Sequence, residues 1–276
     1  MLALVAAAVV GLAALYWSQR RPGPTLVDLS LFRNRAYAAG LVLIFFFGFG
    51  TLATVYAFPI FGQIVQNFPP VTAGVLLLPA SLFAAALMPF TGRATDIFPH
   101  RTLLAVGIFI SFASIFALAV ADANTHFWYV AFILLLTRIG SAIVTPPLMT
   151  APLLGLPASQ MQRGAGLANF AVIFGGSNGV GFYALLLERR IEFHASNLGW
   201  TQTLANDGAQ EMLRGAGALL AQSGLSELQR DGVALSHLRQ VIVSQANTLG
   251  FQDGFVFIGV SLVIPMDPLL FLRPKR

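Results

Sequence analysis

A lone arginine in the middle of a long apolar run is the residue of this sequence best placed to do chemistry. Arg138 is the one charged residue in positions 127–149. A guanidinium at the centre of a membrane-spanning helix costs at least about 2.5–3.5 kcal/mol on insertion scales unless it faces a partner or water. We therefore predict that Arg138 faces a cavity, where it binds a substrate or pairs with a proton-carrying carboxylate. A structural arginine that donates to backbone carbonyls is the alternative.

Three further polar side chains within apolar runs are candidates for the same substrate or proton cavity: Asn169, Asn178 and Tyr56. Polar groups inside a membrane span usually face protein or water rather than lipid, so we expect the two asparagines to do so. Tyr56 follows a cluster of phenylalanines at positions 45, 46, 47 and 49. Together they could line an apolar cavity, although exposure to lipid explains most of the aromatic cluster.

Gly175, Gly176 and Gly179 are predicted to be helix-packing residues. Gly175 and Gly179 are four positions apart, which places both on one face of a helix. Small residues at this spacing let two helices approach closely in a membrane. The face therefore serves either tight static packing or a seam along which helices slide. It is not a phosphate-binding loop, because no lysine followed by serine or threonine comes after it.

A short polar stretch at positions 92–101 separates two uncharged runs, 73–91 and 102–121. We predict a tight loop in which Gly92 permits a close backbone turn. Asp96 can accept hydrogen bonds from Arg93, Arg101 or a helix N-terminus. These four residues would form a conformational latch that holds one state of the molecule. The alternative is a set of ordinary solvated charges.

The remaining residue types disfavour catalytic and metal-binding chemistry. There is no cysteine, and the four histidines are scattered at positions 100, 126, 194 and 237. Disulfides and thiolate chemistry are thereby excluded, and no metal-ligand spacing is present. A membrane-embedded enzyme would need clustered acids, histidines or serines at cavity depth, and none is found. We predict that the chain is not an enzyme.

The composition indicates an integral membrane protein. Of 276 residues, 57% are hydrophobic and only 10% are charged. About a quarter of the residues of a typical soluble domain are charged, so this chain cannot cover a soluble surface. The net charge of +5 comes from arginines at the ends of apolar runs rather than from one patch. The bilayer, and not nucleic acid, is therefore the expected partner.

We predict an all-α fold with about seven transmembrane helices, which span residues 2–17, 36–58, 73–91, 102–121, 127–149, 163–187 and 251–272. Each is close to the roughly 20 residues that cross a bilayer as a helix. Arginines in the short loops mark the cytoplasmic side, and the basic tail places the C-terminus there. The domains are an extra span at 1–18, a cytoplasmic linker at 19–35 and a six-helix unit at 36–276.

Several boundaries follow from local signals. Pro59 is expected to end the second span, and Pro146, Pro147 and Pro152 to end the fifth, because proline lacks the amide proton. Ser159 and Gln162 have the spacing of a capping box, which predicts a helix start nearby. Residues 188–250 are polar and are predicted to form a long outer loop. Apolar residues at helical spacing from 235 to 249 suggest an amphipathic helix that lies on the outer interface.

Four motifs resemble those of a known family. Residues 92–101 are similar to the cytoplasmic loop signature of the major facilitator superfamily, although Pro99 stands where that signature has its second glycine. Residues 134–142 resemble its arginine-then-glycine motif on a cavity-lining helix. Residues 28–35 and the glycine helix at 164–181 resemble segments of the fourteen-span drug/proton antiporters. An arginine often precedes those glycines, but Val172 stands there in this sequence.

The resemblance implies the C-terminal half of a multidrug efflux transporter. It implies six helices preceded by one extra span, and a missing N-terminal half that completes the transport path. Small lipophilic or cationic compounds would be exported by proton antiport, with the proton gradient as energy source and no cofactor, across the bacterial inner membrane. The alternatives are a non-transporting membrane scaffold and a facilitator of another small solute.

Overall fold

The computed structural model describes residues 29–202, 207–220 and 226–264, and these residues form helices without any strand. Three short 3-10 helices occur at Leu29–Arg33, Leu118–Val120 and Leu153–Gly155. The α-helices in chain order are α1 Arg35–Ile64, α2 Pro70–Val75, α3 Leu77–Ile97, α4 His100–Ala117, α5 Phe127–Thr150, α6 Ala158–Thr201, α7 Asp207–Leu220 and α8 Glu227–Val263. The predicted all-α membrane fold is confirmed.

Six helical segments of the described chain are long and apolar enough to cross a membrane: Arg35–Ile64, Pro70–Ile97, His100–Val120, Phe127–Gly155, Ala158–Thr201 and Gly232–Val263. Each contains or overlaps one of the spans expected from the sequence. The seventh, at 2–17, lies outside the described residues, as do most of the 19–35 linker and residues 265–276.

The helices pack as two groups of three. In the first, α1 packs against α6 and α8, which also contact each other; in the second, α5 packs against α3 and α4. Contacts of α8 with α4 and of α1 with α5 join the groups. Aromatic side chains fill the contact between α1 and α8, where the ring centroids of Phe61 and Phe255 are 5.4 Å apart and both side chains are fully buried.

Two spans are poorly covered by the rest of the chain. In the most apolar 18 residues of each segment, the buried share is only 17% for Pro70–Ile97 and 33% for Ala158–Thr201. The corresponding share for Arg35–Ile64 is 61%. Large apolar side chains therefore point away from the molecule on both helices, among them Leu82, Phe90 and Phe170. Lipid or another protein must cover these faces.

The helix ends predicted at Pro59 and at Pro146 and Pro147 are wrong, whereas the helix that contains Pro146 does end at Thr150, before Pro152. α1 continues past Pro59 to Ile64, and α5 contains both Pro146 and Pro147. Prolines are tolerated within membrane helices because neighbouring helices and hydroxyl side chains satisfy the backbone groups that they free.

The predicted capping box is also wrong. α6 begins at Ala158 after Pro157, and no side chain caps it. The N-cap is Pro157, whose side chain cannot accept from the free N–H groups of the first turn, although the helix does start near Ser159 as predicted. A serine–glutamine contact forms instead before α8, where the backbone N–H of Ser226 donates to Gln229 Oε1 at 3.0 Å.

The segment predicted as a long loop, 188–250, is mostly helical. α6 has 44 residues and α8 has 37, so they are about 66 and 56 Å long at about 1.5 Å per residue. Both exceed the ~30 Å of a hydrocarbon core, and their polar ends must project beyond it. The amphipathic segment belongs to α8 and is continuous with the last span, so it does not lie separately on the interface.

Candidate functional site

Arg138 occupies the middle of α5, the twelfth of 24 residues, as the sequence predicts. It lines a small internal cavity that is also bordered by α1, α4 and α8. The cavity wall carries five hydroxyl side chains, those of Thr51, Thr54, Ser111, Thr137 and Ser141. The guanidinium is thus placed in a polar environment where two groups of helices meet.

No hydrogen bond or ion pair joins Arg138 to another residue in the described part of the chain, and its Nε atom is buried without a partner. The alternative of an arginine that donates to backbone carbonyls is therefore not supported by the described residues. A charge without a protein partner at mid-span needs water, a ligand or an acid from elsewhere.

Close packing between α4 and α5 accounts for Gly140, the glycine two positions after Arg138. A Cβ on Gly140 would lie 2.8 Å from the carbonyl oxygen of Gly107, and a Cβ on Gly107 would lie 2.9 Å from that of Gly140. The two glycines let α4 and α5 cross in close contact, which brings Ser111 of α4 to the cavity beside Arg138.

The other proposed cavity residues do not line one pocket with Arg138 in the described chain. Asn178 donates to the carbonyl of Phe174 at 2.8 Å and lines a separate open groove of about 350 Å³ on α6, together with Ser177 and Phe182. Asn169 lies exposed on α6, so the chain itself provides neither the protein contact nor the cavity that we expected for it. Tyr56 is half-buried, with its ring 6.1 Å from that of Tyr183.

The packing glycines lie at the crossing of α1 and α6. A Cβ on Gly175 or Gly179 would collide with the backbone carbonyl of Phe45 or Phe49, and one on Gly176 would collide with Leu52. Consequently Phe49 is 8% exposed and contacts rings on both α6 and α8. Lipid exposure is therefore the wrong explanation for Phe49, and likewise for Phe47, which is 7% exposed.

The latch residues are helical rather than in a loop. α3 continues through Gly92, Arg93 and Asp96 to Ile97, and only two residues separate it from α4, whose first turn contains Arg101. A Cβ on Gly92 would meet no atom within 4 Å, so no close turn requires this glycine. Arg93 and Asp96 are exposed and Arg101 is half-buried.

The sequence interpretation missed a charged cluster that ties α6 to α8. Asp253 Oδ2 accepts a hydrogen bond from Arg190 Nε at 2.7 Å and lies 2.6 Å from His194 Nε2. Arg190 also lies over the ring of Phe193, 5.0 Å from its centroid. Arg190 and His194 are four positions apart, a spacing that indicates a shared face once the segment is known to be helical.

Hydrogen bonds also connect the helices at the opposite end of the bundle, where α1 begins. Asn34 Oδ1 accepts from the backbone N–H groups of Ala36 and Tyr37 and so caps α1. Its Nδ2 donates to the carbonyl of Gly155 at 2.7 Å, and Tyr37 donates to that of Gly164 at 2.8 Å. The first bond joins the start of α1 to the connection between α5 and α6, and the second joins it to α6 itself.

Comparison of the sequence with known proteins shows the family of this chain. Residues 1–180 match the model of the Major Facilitator Superfamily. The chain is 21% identical over its whole length to 52% of the uncharacterized MFS-type transporter YhcA of Bacillus subtilis. Over 94% of its length it is 27% identical to half (50%) of the multidrug export protein EmrB of Haemophilus influenzae. Over 90% it is 27% identical to 47% of the fatty acid resistance protein FarB of Neisseria gonorrhoeae.

The chain spans about half the length of these relatives. The match covers most of the described spans, including α5 with Arg138 and the glycines of α6. The family predicted from the sequence motifs is thus confirmed, and it is one of transporters rather than enzymes. This multi-pass membrane chain belongs to the Major Facilitator Superfamily.

Proposed function

We propose that this chain is the C-terminal half of an efflux transporter that exports lipophilic or cationic compounds by proton antiport with alternating access. The observation that carries this proposal is the mid-span position of Arg138 without a partner among the described residues. In a transporter built of two halves, substrate lies near the bilayer midplane between them. A facing half, or a substrate held against it, supplies the missing partner.

The uncovered faces of α3 and α6 support a missing N-terminal half. α6 exposes two different kinds of side chain on one face: the phenylalanines Phe170 and Phe174, and the polar Asn169 and Ser177. A surface facing only lipid has no use for the polar groups. A second half that packs against α6 would bury the aromatic rings and leave Asn169 and Asn178 to contact substrate.

The names of the relatives support export of poorly soluble compounds. EmrB is named a multidrug export protein and FarB a fatty acid resistance protein. A guanidinium repels a cation, so with cationic compounds Arg138 would pair with a proton-carrying carboxylate of the other half. With an anionic lipophile such as a fatty acid, it would bind the substrate directly.

The relatives named above are bacterial proteins, which supports a location in the bacterial inner membrane. A cytoplasmic C-terminus is supported by Arg33, Arg35, Arg93 and Arg101, because these arginines lie at one end of the spans and mark the cytoplasmic side. The partners are the bilayer, the missing half and a small-molecule substrate, with no nucleic acid. The proton gradient supplies the energy, and no cofactor takes part.

The two alternative functions, a membrane scaffold and a facilitator, make different predictions. A membrane scaffold needs the same apolar packing but gives no reason to place an unpaired guanidinium at mid-span. A facilitator of another small solute needs Arg138 but no proton gradient.

Efflux of a fluorescent lipophilic cation tests the proposal. Cells express this chain alone or together with a matching first half, and a protonophore serves as control. We expect efflux only with both halves and its loss on collapse of the gradient. Efflux that persists without a gradient would favour the facilitator, and absence of efflux of both this probe and a fluorescent fatty acid would favour the scaffold.

A further inference from the structure

Two of the residues that line the internal cavity carry a buried polar atom without a partner in the described chain. Ser111 is only 2% exposed, and its Oγ has no hydrogen bond within the described residues; the same holds for the buried Nε of Arg138. The neighbouring Ser114 on the same helix behaves differently, since its Oγ donates to the carbonyl of Ile110 at 2.7 Å. The Ser111 hydroxyl thus departs from the usual bond of a helical serine to its own backbone.

The size of the cavity matches one water molecule. It leaves about 10 Å³ in which the centre of a water-sized sphere can lie. A polar site holds an ordered water when it provides about this volume and two to four polar partners. The wall supplies those partners from three helices, α1, α4 and α5.

The polarity of the wall selects a water rather than an anion. Arg138 Nε, Ser111 Oγ and the Thr51 hydroxyl make no bond within the described residues and are free to donate. Thr54, Thr137 and Ser141 already donate to backbone carbonyls at 2.7, 2.9 and 3.0 Å. These three hydroxyls present lone pairs to any further partner. A water accepts two hydrogen bonds and donates two, while an anion only accepts and would be repelled by the lone pairs.

We propose that this cavity binds one ordered water, which accepts from Arg138 Nε and Ser111 Oγ and donates to the hydroxyl oxygens around it. The water holds one edge of the guanidinium against α4 and leaves the terminal nitrogens of Arg138 for another partner. Ser111 is thereby a positioning residue for Arg138. The role of Arg138 rests on the proposed function, whereas the water site is testable without transport.

The direct test is a crystal structure of the purified chain, grown in a lipid mesophase, at a resolution that shows ordered solvent. We expect one solvent peak within about 3 Å of both Arg138 Nε and Ser111 Oγ. A cavity without solvent density would overturn the proposal. So would the anomalous signal of bromide in the cavity after chloride is exchanged, because it would identify an anion site.

A double-mutant cycle tests the link between the two residues by thermal unfolding. Ser111→Ala should lower the melting temperature by about 2–4 °C in the native background. It should have little effect with Arg138→Lys, because lysine has no atom equivalent to Nε. Ser114→Ala is the matched control, and its effect should be the same in both backgrounds. An equal shift for Ser111→Ala in both, or a rise in the native background, would contradict the water bridge, whatever the efflux assay gives.

Discussion

Gly179 of α6 lies directly against the backbone carbonyl of Phe49 of α1, with no room for a side chain between them. Two residues further on, a methyl group added to Gly181 would meet no atom within 4 Å, because this glycine faces away from α1. Comparing substitutions at Gly179 and Gly181 therefore separates the need for close contact between α1 and α6 from the lower helix propensity that every glycine has.

Gly179→Ala should destabilise the chain, because the added methyl group forces α1 and α6 apart. Overpacking of this kind costs about 1–3 kcal/mol. Gly181→Ala should be neutral or slightly stabilising, since alanine favours helix and nothing obstructs it. Thermal unfolding in detergent compares the two variants. Equal melting temperatures would show that the contact between α1 and α6 has room for a methyl group at Gly179.

Asn34→Ala should weaken the join between α1 and the α5–α6 connection. It removes both the cap of α1 and the 2.7 Å bond to Gly155, and loss of such a cap costs about 1 kcal/mol. Asn169→Ala is the control for stability, because Asn169 is exposed and makes no hydrogen bond within the described residues. If both variants melt alike, Asn34 is not holding these elements together.

Asp253→Asn should loosen the contact between α6 and α8. The variant retains the shape of the side chain but loses the charge that faces Arg190 and His194. Because these groups are partly exposed to solvent, the expected loss is only about 1 kcal/mol. Glu192→Gln is the control, since its 3.9 Å contact with Arg189 is largely exposed. A greater effect of the control than of Asp253→Asn would be the contrary result.

The spans could be predicted from apolar runs between charges, because the bilayer imposes a length on each helix. The helical structure of the polar ends of α6 and α8 could not be predicted from the sequence. Residues such as Glu188 and Arg189 indicate where hydrocarbon stops, but charged residues with good helix propensity continue a helix into water equally well. The polar composition of residues 188–250 is therefore a correct sign of solvent exposure and a wrong sign of irregular structure.

Arg138 could be identified from sequence because a charge inside an apolar run is rare, whereas its surroundings could not. Ser111 and Thr54 are distant in sequence, and small hydroxyl residues occur throughout membrane helices. Only the crossing at Gly107 and Gly140 shows that Ser111 reaches the level of Arg138. The Asp253 cluster is not predictable in the same way, because Asp253 lies in the predicted last span whereas its partners Arg190 and His194 fall in a segment with the composition of a loop.

Asp96→Asn tests the proposed latch between the ends of α3 and α4. With a matching first half present, we expect slower efflux and little change in melting temperature, because exposed substitutions usually shift stability by no more than about 0.5 kcal/mol. Gly92→Ala should leave both quantities unchanged, given the open space around it. Unchanged efflux for Asp96→Asn would mean that these are ordinary solvated charges.

The most direct test of the account is proton-driven efflux by the two-half transporter carrying Arg138→Ala. Arg214→Ala is the control, because Arg214 is exposed on α7 and donates only to Gln210, at 2.8 Å, among the described residues. We predict that Arg138→Ala reduces efflux to the level of cells without the chain while the folded protein remains in the membrane, and that Arg214→Ala transports normally. Normal efflux with Arg138→Ala at equal protein level would contradict a role for this arginine in the transport path.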